Sequence, residues 1–276
     1  MNGRLRAGAN GALAVFLGLI ALVQLLPFWL ALSSSTKPQS DVSSVLIPRI
    51  TDIAWSNFEE ALTSGNVLSA IASTALVTGV STVFVCLLGA MAAYPLARRL
   101  TRFNRFVSGL ILSLIMIPPL STLVPLYTLL TQLGAINTYW GQIVISVAGG
   151  LPLSVFLYAA FMRNIPVSLD EAAGIDGANA AQTFFRIIFP LLKPVTATVA
   201  ILTGVGVWND YALSNFVLTD PEKRMVAPAV GAFFAQQTSN LGAGSAAALL
   251  AVLPVLIAYL CLQRLFMSGM VAGAVK

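Results

Sequence analysis

The sequence predicts an all-α protein, a polytopic membrane helix bundle with six transmembrane helices. Three observations carry this expectation. Of 276 residues, 58% are hydrophobic and only 9% are charged, against about 25% charged in an ordinary soluble domain. Those charges are bunched, leaving apolar stretches long enough to cross a hydrocarbon core of about 30 Å, which takes about 20 residues of helix. The basic residues also alternate in density from one connecting segment to the next, as they do when loops lie on opposite sides of a membrane. A soluble globular enzyme, a disordered chain and a disulfide scaffold are excluded by the same composition.

The elements follow from the charge-free stretches. One transmembrane domain over 1–276 is expected, with spans at about 11–32, 69–94, 106–130, 140–162, 191–218 and 244–266. The first lies between Arg6 and Lys37. Its apolar run is longer than the about 7–15 residues of a signal-peptide core, so it reads as a span. Ala61 to Ala97, between Glu60 and Arg98, holds the second. Phe106 to Met162 is free of charge for 57 residues and holds two spans, divided by the turn signal from Gln132 to Asn137. Pro194 to Asn209 opens the fifth, with Asp210 in its far half, and Met225 to Gln263 contains the sixth. Pro118, Pro119, Pro125, Pro152 and Pro254 fall inside spans. Kinked helices suit a bundle that opens and closes, although proline is common in membrane helices in any case.

An even number of spans returns both ends of the chain to one side. Arg4, Arg6, Arg98, Arg99, Arg102, Arg105, Arg163, Arg186, Lys193, Arg264 and Lys276 then share a face, leaving Lys37, Arg49, Lys223 and Arg224 on the other. The excess marks the first face as cytoplasmic, with both termini on it in the cell membrane. The net charge of +5 thus reports orientation and contact with lipid, not nucleic-acid binding. Phe28, Trp29, Tyr139 and Trp140 fall at the opposite interface, where amphipathic rings collect.

The chain has no histidine, so a His-based triad, a His-ligated metal and an imidazole relay are ruled out. Cys86 and Cys261 lie in apolar runs far apart and read as packing residues. No catalytic or metal-ligating set emerges. Only Asp210 brings a carboxylate near the bilayer interior. That is a thin basis for an ion-coupled secondary carrier, which is kept as the alternative function. No GxxxxGK[ST] phosphate-binding loop is present. If transport is driven, the energy must enter from another polypeptide.

The segment 163–190 is built for such a contact. Pro166 ends the helix before it. Ser168 and Glu171 have capping-box spacing, and Asp170 and Glu171 sit in the first turn of a short helix, where its dipole favours them. Asp176-Gly177 stops that helix, and Asn179 with Gln182 caps the next. Ala172 and Ala173 are small enough for another backbone to approach. On these residues alone, a solvated connecting loop stands as the other reading.

Glu171-Ala172-Ala173, Gly177 and Ile188-Phe189-Pro190 closely resemble the EAA loop of ABC importer membrane subunits. The stretch from Glu171 to Pro194 is similar to the carbohydrate-uptake subfamily, and to its maltose-type second permease subunit in particular. The runs Gly134–Trp140, Trp208-Asn209-Asp210, Leu253–Leu256 and Gly269–Lys276 match the same group. Phe189 departs from it, where leucine is frequent.

The resemblance implies a type I ABC importer permease architecture and a transport subunit that is not itself an enzyme. Its implied partners are a second homologous permease, two ATPase subunits that bind ATP and Mg, and an extracytoplasmic sugar-binding protein; this chain carries no cofactor. It implies ATPase coupling through Ser168, Asp170, Glu171, Ala172, Ala173, Asp176 and Gly177, and a C-terminal ATPase contact through Gly269, Gly273 and Lys276. Trp208, Asn209, Asp210 and Tyr211 are candidates for the translocation path of a sugar or polyol. Phe233 and Phe234 are candidates for the loop that meets the binding protein. Read without the resemblance, the tail 267–276 is a frayed terminus; with it, the glycines suit an extended strand in a narrow crevice.

Overall fold

Where water is absent, each backbone segment must satisfy its own hydrogen bonds, and a single strand cannot. Helix is accordingly the only regular structure among the described residues of the computed structural model. These are 2–41, 43–236 and 240–274, with the backbone path alone at 2–12, 233, 235, 236, 259 and 262–274. They form two compact units, one of residues up to Val67 with Val230–Val252, the other of Leu68–Ala229 with Leu253 onward.

In the first unit, α1 (Asn2–Ser35) keeps its helix through Pro27, and Val23 and Leu22 on its apolar stretch stand exposed. Its last carbonyls would be orphaned at a helix end. The buried Asn57 of α2 (Ser56–Thr63) takes up that role, donating from Nδ2 to Ser35 O at 2.9 Å and Lys37 O at 2.7 Å. Of α12 (Val226–Gln236) and α13 (Leu241–Ala274), residues 230–236 and 241–252 belong to this unit. Asn240 caps α13 through Oδ1, which accepts from Ala243 N at 3.1 Å, and its Nδ2 donates to Glu60 Oε2 at 2.5 Å. Gly242 is required beside this junction, because a Cβ there would stand 2.9 Å from both Asn57 Cγ and Lys37 O.

In the second unit, α3 (Val67–Arg98) and α6 (Tyr139–Met162) are long apolar helices. With α10 (Lys193–Trp208) they bury Val85, Ala90, Ala93, Tyr158, Met162 and Val199 in one core. A smaller core gathers Val77, Leu130, Ile145, Val207, Leu218 and Met225.

Two expected spans are not continuous helices. The third divides into α4 (Arg102–Ile115) and a 3-10 turn at Pro119–Thr122 leading into α5 (Leu123–Gln132), bent by 94°. The Pro118-Pro119 pair is the cause: the second proline forces the first to an extended backbone (ψ 128°) and offers no N–H to continue the ladder. The fifth, expected at about 191–218, begins at a 77° bend where residues 180–191 meet α10. It stops at Trp208, and α11 (Ala212–Val217) follows as a separate turn of helix. Among the described residues, four helices are long and apolar enough to cross a membrane, or up to six if each bent pair counts as one span.

The tail also differs from expectation. Residues 267–274 continue α13 as helix, whereas an extended strand was expected. Propagating an existing helix adds one bond per residue without a new nucleus, and no proline interrupts the stretch.

Candidate functional site

The connection between α6 and α10 begins with α7 (Ser168–Ile175). Its start corrects the expected Ser168 cap. Val167 already has helical backbone, and Ser168 is the first helical residue with no capping bond from its side chain. A capping serine needs an extended backbone. Here Pro166 O and Val167 O accept from Leu169 N and Asp170 N, so the turn closes before Ser168 is reached. The far end is as expected: Ile175 is the last helical residue, and Gly177 takes a left-handed backbone at φ +78°. The expected Asn179–Gln182 capping box is present at α8 (Ala180–Thr183), with both bonds at 2.9 Å. A π turn at Phe184–Ile188 and the short α9 (Phe189–Leu191) lead to α10.

α7 has two different faces. Ser168, Glu171, Ala172, Asp176 and Gly177 are exposed, and Ile175 is 88% exposed. Ala173 is buried, so the two alanines divide, one facing outward and one packed. Asp170 is turned inward. Its Oδ1 accepts from Tyr94 Oη at 2.5 Å, and its Oδ2 pairs with Arg98 Nη2 at 2.8 Å. Arg98 Nη1 donates to Met162 O at 3.1 Å, at the last residue of α6, and to Ile165 O at 2.8 Å, just beyond it. Tyr94 and Arg98 escape a sequence reading, since nothing distinguishes Arg98 from Arg99 beside it. Tyr94 also packs on Phe184, with ring centroids 5.4 Å apart.

Of the four residues assigned to a path, the structure brings one to a cavity. This cavity, of about 450 Å³, is lined by residues of α6, α10, α11 and the 3-10 turn, among them Ser146, Gly149, Leu153, Thr203 and Gly206, and by Asp210 in the link between α10 and α11. Trp208 is buried in packing, Asn209 bonds back to Val205 O at 2.9 Å, and Tyr211 is exposed. Asp210 is held by three donors: Gln142 Nε2 at 3.1 Å, Leu213 N at 3.1 Å and Ser214 N at 3.2 Å. It thereby tops α11 and ties it to α6. Phe234 is exposed at the edge of Gly244, in the first unit. The Phe233 side chain and Lys276 lie outside the described residues; Gly269 and Gly273 lie in α13.

A second polar junction was not foreseen. Asn137, with left-handed backbone at φ +58°, accepts on Oδ1 from Thr219 N at 2.7 Å, Asp220 N at 2.9 Å and Thr219 Oγ1 at 3.0 Å. Its carbonyl accepts from Lys223 Nζ at 3.1 Å. It locks the turn before α6 to the segment after α11. Its place in a turn signal between two apolar runs was visible in sequence, but its partners were not.

Among known proteins, residues 85–271 match the family described as the binding-protein-dependent transport system inner membrane component. The melibiose/raffinose/stachyose import permease protein MelC of Bacillus subtilis is 42% identical over 94% of each chain. The trehalose transport system permease protein SugB of Mycobacterium tuberculosis is 33% identical over 95% of this chain and 96% of its own. A crystal structure of a bacterial ABC transporter involved in the import of the polysaccharide alginate superposes with a TM-score of 0.76. It covers 95% of this chain and 97% of the other at 24% identity, a likeness of fold.

Proposed function

Because the chain belongs to the family of binding-protein-dependent transport system inner membrane components, we propose that it is the sugar permease subunit of an ATP-driven importer. It moves neutral di- and oligosaccharides by alternating access. The chain is a multi-pass transport subunit of the membrane, not an enzyme. With no phosphate-binding loop in its sequence, ATP and Mg fall to two separate ATPase subunits. A second homologous permease completes the pathway, and an extracytoplasmic binding protein delivers the sugar. The sugar class follows the substrates named for MelC.

In this reading α7 is the coupling helix, and Ser168, Asp170, Glu171, Ala172, Ala173, Asp176 and Gly177 form the ATPase-coupling stretch. The observation that carries it is the division of α7 between an exposed face bearing Glu171 and Ala172 and an anchored face bearing Asp170 and Ala173. Asp210 lines the sugar's path with Trp208, Asn209 and Tyr211 beside it. Phe233 and Phe234 meet the binding protein. Gly269, Gly273 and Lys276 reach the ATPase pair. The ion-coupled alternative receives no support from the relatives.

The test is reconstitution. Vesicles holding the complete complex, with binding protein on one side and ATP on the other, are expected to accumulate labelled raffinose. Omitting ATP is expected to abolish uptake, and dissipating ion gradients to leave it intact; the opposite pattern overturns the reading. The same vesicles built with the chain ending at Ser268 are expected to show weakened ATPase retention or uptake. Wild-type values for both would remove the tail from the contact.

In this reading both termini lie in the cytoplasm: six spans return the chain to one side, and the arginine-rich loops mark that side. In a chain carrying Cys86→Ala and Cys261→Ala, Ser40→Cys is expected to react with an impermeant thiol reagent on intact cells and Thr101→Cys to be protected. Reversed labelling overturns the orientation.

A further inference from the structure

Asp170 and Glu171 are adjacent carboxylates on α7 with opposite surroundings. Glu171 is exposed. Asp170 is drawn between Tyr94 and Arg98 of α3, and its side chain and that of Arg98 are 16% and 9% exposed. Arg98 uses its other Nη to hold Met162 O and Ile165 O. One guanidinium therefore joins three elements: α3, which carries it; α7, through Asp170; and the end of α6, through two carbonyls. Nη1 gives the two directional bonds, to the carbonyls, while Nη2 meets Asp170 Oδ2 as an ion pair; a lysine ammonium is a single point charge and cannot divide these two tasks between two nitrogens.

The return limb of the same loop is attached differently. Phe184, Ile188 and Leu192 enter the core by apolar contact, which has no preferred direction. That limb also contains the π turn and the 77° bend. A displacement applied to the exposed face of α7 meets the Arg98–Asp170 ion pair and the Tyr94 hydrogen bond on one side and compliant packing on the other.

We propose that Arg98 and Tyr94 are positioning residues for transport, gripping Asp170 so that movement of α7 is carried into α3 and the end of α6. The proposal rests on the reading of α7 as the helix that meets the ATPase. Without the clamp, the ATPase still docks and hydrolyses ATP, but its stroke is absorbed in the loop.

The experiment measures sugar taken up per ATP hydrolysed by the whole complex in vesicles. Arg98→Gln is expected to lower this ratio about tenfold, within the usual range of coupling between sites. Arg98→Lys, which keeps the charge but not the fork, is expected to fall with it. Tyr94→Phe is expected to lose about threefold. Arg99→Gln, one residue away and exposed, is the control and is expected to match wild type.

An Arg98→Gln ratio equal to that of Arg99→Gln overturns the proposal. If Arg98→Gln does not reach the membrane, a wild-type ratio for Tyr94→Phe overturns it. A thiol crosslink from Ala172→Cys to the ATPase separates the two readings. A crosslink formed with and without Arg98→Gln, alongside a lowered ratio, supports the clamp. A crosslink in both with an unchanged ratio defeats the clamp alone. No crosslink in the otherwise wild-type chain defeats the docking reading and the clamp with it.

Discussion

Replacing Glu171 with alanine is expected to abolish the sugar-dependent rise in ATP hydrolysis and to cut transport by about tenfold or more, a loss on the scale of a coupling free energy. Glu171 is exposed in the first turn of α7, so it buries nothing whose loss would unfold the chain. Next to it Ala172 is exposed and small, and Ile175, one turn on, stands in solvent. A carboxylate beside an apolar, low-relief patch suits a basic group on a protein partner, and the positive end of the helix dipole favours the charge there. Membrane insertion is expected to be unchanged. Ser168→Ala separates coupling from helix stability. Its hydroxyl caps nothing, so that variant is expected to leave α7 as stable as in wild type, and any loss of coupling it shows reports the contact itself. An assembled complex whose ATPase still responds fully to sugar after Glu171→Ala would remove Glu171 from the contact.

Gly141→Ala is expected to be the most damaging small substitution in the membrane part. A Cβ at 141 would overlap the Ala135 carbonyl oxygen and stand 3.1 Å from both Ala135 C and Ala135 Cβ. The obstacle is backbone, so no rotamer relieves it. Gly141 N also donates to the Thr138 hydroxyl at 3.2 Å, the cap of α6. Relieving the overlap costs about 1–3 kcal/mol, and disturbing the cap about 1 kcal/mol more. These outweigh the about 1 kcal/mol by which alanine favours helix over glycine. Gly149→Ala in the same helix has nothing within 4 Å of its new Cβ and is expected to be neutral or stabilising. Thermal unfolding of the two purified variants in detergent checks the pair. Equal melting temperatures would show that the α5–α6 turn yields easily.

The sequence was legible where a rule acts over a short distance. Composition and the charge-free runs are properties of whole segments, and they led to an all-helical membrane chain. Asn179–Gln182 formed its capping box because both members lie within one turn. Ser168–Glu171 had the same spacing and did not, because the chain leaves Pro166 already turning. The path of the residues before a cap decides whether the capping residue is extended, and spacing does not report that path. The Pro118-Pro119 pair was visible as a kink, but not the 94° size of the bend. The Arg98–Asp170 clamp was out of reach for a different reason. Its members are more than seventy positions apart in a cluster of similar arginines, and only the packing of α3 beside α7 selects one of them. Of the path residues, Asp210 reached the cavity because three donors fix it, while Trp208 was taken up in the packing around it.

The Asn137 junction also has a consequence for biosynthesis. Its partner Thr219 lies 82 residues further along the chain. At about 5–20 residues per second, the ribosome takes about 4–16 s to make that interval. Throughout it, the carboxamide of Asn137 has no Thr219 or Asp220 to accept from, and nothing from that segment holds its left-handed backbone. α6, α7 and α10 are all synthesised before the knot can be tied. This part of the molecule is therefore finished from its far end. A ribosome that pauses between Trp208 and Thr219 prolongs the interval in which the turn before α6 is exposed to proteolysis.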